Sequence, residues 1–337
     1  MNDPAIEARG LVKVFGDNRA VDGVDLDVAT GAVYGVLGPN GAGKTTVIKM
    51  LATLLNPDGG SARVFGHDVV REAHTVRSLI GLTGQYASVD EDLSATENLI
   101  LFGRLLGLGT RGAKAKANAL LEELSLTDAA TRPLKKFSGG MRRRLDLAAS
   151  LIAQPPLIFL DEPTTGLDPR TRLQMWDTIR RLVAEGSTVL LTTQYLDEAD
   201  QLADRIAVID RGQVVAEGTA DDLKRSVGTQ SLHLTVGAHS TPADELADPV
   251  AYTSAAIRDL TGQDAVLTPI ADGARLTVPL DSAATVSDLL VRLRTAGVDI
   301  RELSLSKPTL DEVFLALTGH GADDQTEAER MPEKVNA

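Results

Sequence analysis

The sequence predicts an α/β domain followed by a smaller α+β domain. Up to about residue 228, short apolar runs alternate with helical patterns. One apolar run leads into a glycine-rich loop at residues 38–46, and a helical pattern follows that loop. Beyond Gly228, short alternating strands and helices succeed one another in the order βαββαβ, which is typical of a split βαβ sandwich.

The elements of the first domain follow from its apolar runs. A compact run that ends at a turn residue indicates a buried strand, and spacing of three to four residues indicates a helix. The turn at residues 56–60 ends the first helix. The pattern between about residues 94 and 152 is mainly helical. We therefore predict strands at Ala32–Leu37, Leu157–Leu160, Thr188–Thr192, Arg205–Ile209 and Val214–Gly218, and a helix at Val47–Leu55.

The second domain has shorter elements. A final helix is expected to open with a capping box formed by Thr309 and Glu312. The predicted strands lie around Leu232–Val236 and at Ala265–Pro269, Arg275–Leu280 and Val298–Leu305, and the helices at Val250–Leu260, Ser282–Ala296 and Leu310–Leu317. We expect domain boundaries at 1–228 and 229–318, with a helical subdomain at about 90–150 and an acidic, disordered tail at 319–337.

The composition excludes several classes of protein. Apolar residues make up 43% of the chain and charged residues 24%, which is ordinary for a globular protein. The absence of cysteine excludes disulfides, thiolate metal sites and a cysteine nucleophile. A net charge of −13 disfavours nucleic-acid binding, because affinity for phosphates depends on Lys and Arg. No apolar run is long enough to span a membrane and no leader pattern opens the chain, so we expect a cytoplasmic chain that only a partner brings to a membrane.

The glycine-rich loop has the pattern of a phosphate-binding loop. Its glycines let backbone N–H groups turn towards phosphate oxygens at a helix N-terminus. Lys44 is expected to bridge the β- and γ-phosphates, and the Thr45 hydroxyl to bind Mg²⁺. The alternative is a glycine-rich turn before an ordinary helix. The loop comprises Gly38, Pro39, Asn40, Gly41, Ala42, Gly43, Lys44, Thr45 and Thr46.

Two carboxylates follow the predicted strand at Leu157–Leu160. Ligands bind at the carboxyl edge of open α/β sheets, so Asp161 is placed to hold Mg²⁺. Glu162 points to the other side of the strand end, where it can polarise an attacking water. The alternative is a solvated acidic turn. The loop and these carboxylates together indicate a P-loop NTPase.

A third motif narrows this to one family. Ser138-Gly139-Gly140, which we call the signature motif, lies 23 residues before Asp161, and the helix that it opens is the signature helix. Together with the loop and the acidic pair, this motif makes the chain resemble the ATP-binding subunit of an ABC transporter. The resemblance covers about residues 5–225. The segments TGQYASVDEDLSATENL, FSGGMRRRLDLA and TLDEVFLALTG look closer still to the ATP-binding proteins of daunorubicin and doxorubicin resistance. The resemblance implies an ABC-type ATPase core that uses ATP and Mg²⁺.

The resemblance also implies roles for single residues. Phe15 would stack on adenine, or else be a core aromatic. Gln85 would contact Mg²⁺ or the attacking water, or else be a surface glutamine. Ser138-Gly139-Gly140 would bind the γ-phosphate of ATP held by a second copy, the alternative being a serine that only caps a helix. Asp168 would couple the two sites of a dimer, or else be a turn carboxylate before Pro169.

One position departs from the family pattern. The family usually has a histidine after the strand that follows the acidic pair, and here Gln194 stands there. A glutamine amide can donate a neutral hydrogen bond to the γ-phosphate, but it cannot become an imidazolium. A mechanism of ATP hydrolysis in which Glu162 polarises the attacking water does not need the histidine. The run Arg142-Arg143-Arg144 is interpreted as the continuation of the signature helix, with acidic neighbours, and not as a nucleic-acid site.

The resemblance predicts the energising subunit of a drug or antibiotic exporter. Two copies would form a homodimer around two MgATP and work with a separate integral membrane permease, at the cytoplasmic face of the membrane. The cargo could instead be a lipid, polysaccharide or peptide. A soluble ABC ATPase that acts on ribosomes or DNA is the alternative from another class, but such relatives typically have two cassettes, basic extensions or zinc cysteines. The C-terminal domain would serve dimer contacts or regulation, or be a packing extension.

Overall fold

The computed structural model describes residues 4–83, 89–227, 230–238, 248–280 and 284–318. The described chain divides into two compact units, residues up to Ala220 and residues from Asp221. The strands of the first unit are β1 (Ile6–Phe15), β2 (Asn18–Val28), β3 (Val33–Leu37), β4 (Gly59–Val64), β5 (His67–Asp68), β6 (Ile80–Thr83), β7 (Leu157–Asp161), β8 (Thr188–Thr193), β9 (Arg205–Asp210) and β10 (Gln213–Gly218). Its helices are α1 (Lys44–Leu51), α2 (Ala73–Leu79), α3 (Ala95–Leu105), α4 (Thr110–Glu123), α5 (Gly139–Ser150), α6 (Pro169–Ala184) and α7 (Leu196–Leu202).

The centre of the first unit is a six-stranded sheet in the order β10-β9-β3-β8-β7-β6. Neighbouring strands are parallel except for β10, which pairs antiparallel with β9. Strands β3, β7 and β8 are buried along their whole length, which explains their continuous apolar runs. This sheet confirms the predicted α/β class and the five strands that the sequence analysis placed in it.

The two faces of the central sheet belong to different cores. On one face, Phe159 and Leu190 pack with α1 and with a second, antiparallel sheet of order β2-β1-β4-β5. On the other face, Ile158 and Leu191 pack with the helices between residues 95 and 184. Alternate residues of one strand thus point to opposite faces, as the pleat requires. The antiparallel sheet is absent from the sequence-based prediction.

The first helix differs from its prediction. It was expected at Val47–Leu55, whereas α1 begins at Lys44 and ends at Leu51. Its early start lets the helix follow the glycine-rich loop directly. Its early end has a local reason, because Thr53 has a φ of 62°, in the left-handed region that no helical residue adopts.

The second unit contains α8 (Ala220–Ser226), β11 (Gln230–Gly237), α9 (Pro249–Thr261), β12 (Val266–Ile270), β13 (Gly273–Leu280), α10 (Ala284–Thr295), β14 (Ile300–Ser306) and α11 (Leu310–Thr318). Its antiparallel sheet has the order β12-β13-β11-β14, and α9 and α10 cover one face. The order of elements from β11 to β14 is the predicted βαββαβ. The predicted capping box at α11 is incomplete: Thr309 caps Glu312 N at 3.3 Å, but the Glu312 carboxylate accepts a hydrogen bond from Ser231.

Candidate functional site

The glycine-rich loop connects β3 to α1 and is shaped by its glycines. Gly43, just before α1, has a φ of 103°, and a Cβ there would lie 2.3 Å from the carbonyl oxygen of Ala20. No other residue type fits this position. Because Gly43 has no side chain, it cannot cap α1. The N–H groups of the first helical turn therefore remain available to an anion such as a phosphate.

Lys44 is held between the loop and the acidic pair. Its Nζ donates hydrogen bonds to the carbonyl oxygens of Gly38 at 2.8 Å and Pro39 at 3.0 Å. The same Nζ lies 3.2 Å from Oε1 of Glu162, and both side chains are buried. Burial lowers the pKa of Lys44, and the neighbouring Glu162 carboxylate opposes that shift. The arrangement fixes a cation where the loop meets the end of β7.

Asp161 lies at a point where two hydroxyl groups converge. Its Oδ1 accepts hydrogen bonds from Thr45 Oγ1 at 3.0 Å and from Thr192 Oγ1 at 2.6 Å. The contact with Thr192 follows from the sheet, since the register of β7 and β8 places these two residues side by side. A carboxylate with a hydroxyl from the phosphate loop offers the oxygen ligands that Mg²⁺ prefers. The residues present therefore fit this ion.

Glu162 has an unusual backbone conformation. Its φ is 50°, in the left-handed region that side chains other than glycine rarely adopt. Two hydrogen bonds from its backbone N–H hold it there, one to the carbonyl oxygen and one to Oγ1 of Thr192, both at 3.1 Å. Its Oε2 accepts a hydrogen bond from Thr165 Oγ1 at 3.3 Å. The neighbouring carboxylates of Asp161 and Glu162 thus have separate hydrogen-bond partners. Backbone strain such as the positive φ of Glu162 often marks a functional site.

Arg143 holds the end of β7 from the signature helix α5. One of its Nη atoms donates to the carbonyl oxygens of Asp161 and Glu162, both at 2.6 Å. Its Nε donates to the carbonyl oxygen of Pro163 at 3.2 Å. Sequence spacing offered no signal for this role, because the contact joins residues 18 to 20 positions apart. It agrees with the interpretation that the arginine run is not a nucleic-acid site.

The other two arginines of the run also have partners inside the protein. Arg142 pairs with Glu91. Arg144 Nη1 donates to the carbonyl oxygen of Leu124 at 3.0 Å. Arg142 also lines a cleft of about 630 Å³ that extends to Glu162. The cleft therefore reaches the end of β7 from the side of α5, while the side chains of Asp161 and Glu162 are themselves buried.

The predicted signature residues lie at the start of α5. Ser138 caps this helix by accepting a hydrogen bond from Met141 N at 3.3 Å. Gly140 packs against α6, since a Cβ on it would lie 2.6 Å from Cγ2 of Thr171. Asp168 caps α6 by accepting a hydrogen bond from Thr171 N at 3.1 Å, and Thr171 Oγ1 donates to the same carboxylate at 2.6 Å. Ser138 thus makes the helix cap that the sequence analysis offered as its alternative, and Asp168, whose alternative was a turn carboxylate before Pro169, is the N-cap of α6. Their roles at a γ-phosphate and across a dimer stay predictions.

Phe15, Gln194 and Gln85 complete the set of predicted residues. The Phe15 side chain is 49% exposed, with Lys13 Nζ 5.7 Å from its ring centroid, so the alternative of a core aromatic is wrong. Gln194 is half-buried and comes directly after β8, the strand that carries Thr192. Gln85 lies outside the described residues. The structure thus brings Lys44, Thr45, Asp161 and Glu162 together, with Gln194 at the end of the neighbouring strand.

Two family matches agree with this geometry. Residues 21–165 match the family described as ABC transporter. Residues 218–318 match the family described as the C-terminal domain of DrrA1-3-like ATP-binding proteins.

Curated relatives extend the match to nearly the whole chain. The daunorubicin/doxorubicin resistance ATP-binding protein DrrA of Streptomyces peucetius is 54% identical over 330 residues, which is 98% of this chain and 97% of the relative. This chain belongs to the ABC transporter ATP-binding family. A Nod factor export ATP-binding protein I of Sinorhizobium fredii is also similar, with 37% identity over 96% of this chain and 88% of that protein.

Solved structures show the same fold. The ADP conformation of MJ1267, described as an ATP-binding cassette of an ABC transporter, has 27% identity and a TM-score of 0.59, and the match covers 65% of this chain and 92% of that chain. A dimeric post-hydrolysis structure of the cassette MJ0796 bound to ADP and Pi has 24% identity and a TM-score of 0.59, with 64% of this chain and 98% of that chain covered. The fold is therefore that of a P-loop ABC cassette.

Membership of the family establishes the general activity. The chain is an ABC-type ATPase, and ATPases of this family bind ATP and ADP and work as dimers with membrane components. Among the helices of the described ranges, none is long and apolar enough to cross a bilayer.

Proposed function

We propose that this ABC-type ATPase energises the export of drugs or antibiotics with an anthracycline-like cargo. It would work as a homodimer, together with a separate integral membrane permease, at the cytoplasmic face of the membrane. The identity of 54% with a daunorubicin/doxorubicin resistance protein, over nearly the full length of both chains, supports this proposal. So does the DrrA-type C-terminal domain, which the second family match describes at residues 218–318.

The ATP site would be built on the loop from Gly38 to Thr46. Its backbone N–H groups and the Lys44 ammonium would hold the phosphates, and Phe15 would stack on adenine. Thr45 and Asp161 would hold Mg²⁺, with Gln85 as a further contact. This ion would supply charge neutralisation on the phosphates. The observation that carries the proposal is the direct contact between the loop and the strand end, through Lys44 with Glu162 and Thr45 with Asp161.

Glu162 would polarise the attacking water. Lys44 is its partner at 3.2 Å, and the phosphates compete for the same ammonium when ATP binds. The carboxylate then becomes free to accept a proton from water. Gln194 would donate a neutral hydrogen bond to the γ-phosphate from the end of β8. Catalysis in this site consists mainly of positioning and electrostatic stabilisation.

Dimerisation would complete each ATP site. Ser138, Gly139 and Gly140 of one copy would contact the γ-phosphate bound by the other, because the start of α5 presents a hydroxyl and backbone N–H groups to an anion. Asp168 would couple the two sites across the dimer. Because the γ-phosphate is held from both sides, ATP closes the dimer and hydrolysis opens it.

A second cargo class is supported by one observation. The relative from Sinorhizobium fredii that is named Nod factor export ATP-binding protein I aligns with 96% of this chain. The same ATPase role in export of a lipid, polysaccharide or peptide is therefore the alternative. The membrane permease would select between these cargoes.

The decisive experiment uses the full chain with Glu162→Gln, captured from native membranes in MgATP. This change keeps the size of the side chain and removes its charge, so ATP should bind but not be hydrolysed, and the closed complex should persist. Mass spectrometry should find a multi-spanning membrane protein. The matched control, Lys44→Ala, should bind no ATP and retain much less of that protein. Recovery of ribosomal or DNA-repair proteins without a membrane subunit would contradict the proposal.

A further inference from the structure

The helices α3 and α4 form a hairpin whose charge differs from that of the rest of the chain. Between Asn98 and Leu121 the sequence has four cations and no acidic residue, in a protein with a net charge of −13. The side chains of Arg104, Arg111 and Lys114 are exposed. Within the described ranges, no ion pair joins any of these three cations to a carboxylate. The tip of the hairpin is therefore a local positive surface, whereas Glu97, Glu122 and Glu123 lie at the other end of the two helices.

Two other cations of the same subdomain have acidic partners. Arg142 pairs with Glu91, and Lys135 lies 3.4 Å from Asp92. The hairpin cations are thus available to an anionic partner outside the chain. Arg111 and Lys114 are three residues apart on α4, so their side chains lie on one face of that helix.

Exposed leucines lie beside these cations. Leu105 is 73% exposed and Leu106 is 54% exposed, at the end of α3 where the chain turns towards α4. Leu101 is also exposed, one turn before Leu105 on the same face of α3. The hairpin itself is closely packed, because a Cβ on Gly103 would meet Ala113 at 3.0 Å. The leucines are therefore displayed on a rigid support, and are not part of a loosely packed core.

We propose that the tip of the α3–α4 hairpin, formed by Leu101, Arg104, Leu105, Leu106, Arg111 and Lys114, contacts the anionic phospholipid headgroups of the membrane. Exposed leucines next to unpaired cations are the combination that binds at a bilayer interface, where the leucines enter the headgroup region and the cations attract anionic lipids. An acidic protein loop would account for the cations but not for the exposed leucines. The proposal rests on the membrane location given above and is independent of ATP hydrolysis.

The test is flotation of the full-length chain with vesicles. One set contains phosphatidylcholine alone, and the other contains phosphatidylcholine with 30% phosphatidylglycerol, a composition of about physiological charge. The chain should float with the anionic vesicles only, and 0.5 M NaCl should release it by screening the charges. The combined variant Arg104→Ser/Arg111→Ser/Lys114→Ser should bind about 100-fold more weakly, since each cation contributes about a factor of five at an anionic surface.

A matched control separates this site from the effect of net charge. Arg63, Arg71 and Arg77 are exposed and lie on β4, on the segment before α2 and on α2, respectively. The variant Arg63→Ser/Arg71→Ser/Arg77→Ser therefore loses the same charge outside the hairpin. This control should float like the original chain. The proposal is overturned if the hairpin variant and this control lose vesicle binding equally, or if the original chain does not float with anionic vesicles. A second variant, Leu105→Ser/Leu106→Ser, should also bind more weakly while it keeps all cations.

Nucleotide binding distinguishes failure of this proposal from failure of the proposed function. All of these variants should bind ATP like the original chain, because the altered side chains lie outside the site at Lys44 and Asp161. A hairpin variant that floats normally but no longer co-purifies with the membrane subunit would identify a protein partner for this surface. That result would overturn the lipid proposal and leave the ATPase function intact.

Discussion

Thr192 Oγ1 donates a hydrogen bond of 2.6 Å to Oδ1 of Asp161, from the neighbouring strand of the central sheet. The same oxygen accepts a hydrogen bond from Glu162 N at 3.1 Å. One fully buried hydroxyl thus fixes both members of the acidic pair. We infer that Thr192 is a positioning residue for the proposed Mg²⁺ ligand and for the proposed catalytic carboxylate.

The variant Thr192→Val tests this role. Valine has nearly the same shape, so the fold should persist, but Asp161 loses a donor and Glu162 loses one of its two acceptors. Loss of such a supporting contact typically weakens a metal site by about 10- to 100-fold. We expect the Mg²⁺ concentration for half-maximal binding of a fluorescent ATP analogue to rise by about that factor. Thr192→Ser keeps the hydroxyl group, so it should need no more Mg²⁺ than the original chain. An unchanged Mg²⁺ requirement in Thr192→Val would contradict the positioning role of Thr192.

Phe15 provides a test of adenine stacking. Because its ring is half exposed and no core depends on it, Phe15→Ala should leave the denaturant midpoint nearly unchanged. Stacking of a base on an aromatic ring contributes about 1–3 kcal/mol, so ATP should bind about tenfold more weakly or worse. Phe15→Trp should bind normally. Titration calorimetry measures both affinities, and equal affinity for Phe15→Ala and the original chain would exclude stacking.

The contact between Gly140 and Thr171 predicts a stability effect that a second substitution reverses. In Gly140→Ala the new Cβ would lie 2.6 Å from Thr171 Cγ2, so α5 and α6 must separate. Overpacking of this kind costs about 1–3 kcal/mol. Thr171→Ser removes only that methyl group and keeps the hydroxyl that binds Asp168. The double variant Gly140→Ala/Thr171→Ser should therefore have nearly the same free energy of unfolding as the original chain, measured in urea without nucleotide. If the losses of stability in the two single variants instead add up in the double variant, the contact is contradicted.

Glu198 is a fully buried carboxylate on α7. Its Oε1 accepts a hydrogen bond from Trp176 Nε1 at 3.1 Å. Its Oε2 and Thr164 Oγ1 are also buried, and in the described part of the chain neither makes a hydrogen bond of normal geometry. Burial raises the pKa of Glu198, although neighbouring hydroxyls and Arg172 oppose that shift.

This raised pKa gives a pH-dependent prediction. Below the pKa of the unfolded chain, Glu198 is protonated in both states and burial of a charge costs nothing. As the pH rises from that pKa to the higher pKa of the folded chain, the free-energy cost of burying the ionised carboxylate grows. Above the pKa of the folded chain, this cost is fully present. Glu198→Gln should thus increase the free energy of unfolding at pH 8, because the amide has no charge to bury. Urea midpoints from pH 8.5 down to pH 4.5, the ordinary pKa of a glutamate side chain, should show this gain shrinking towards acid, and a gain independent of pH would contradict it.

Much of the fold and most of the proposed site could be predicted from the sequence. The glycine-rich loop, the acidic pair and the signature serine are local patterns, and each appears where its strand or helix was expected. The antiparallel sheet of β1, β2, β4 and β5 was not predicted, because its strands contain glycines and irregular pairing that interrupt the alternation. The sequence does not decide whether Phe15 is a core aromatic or a ring that can stack on adenine, since the exposure of its side chain depends on the packing around it.

The sequence by itself determined the chemistry of the proposed ATP site. A phosphate loop needs glycines, a lysine and a hydroxyl at fixed spacing, because these groups act within one turn of the chain. Only the tertiary structure decided which distant groups support them. Thr192 reaches Asp161 through the register of two parallel strands, and Arg143 reaches the end of β7 from another helix. Such contacts join residues that are 18 to 31 positions apart, and packing of the whole domain sets their geometry.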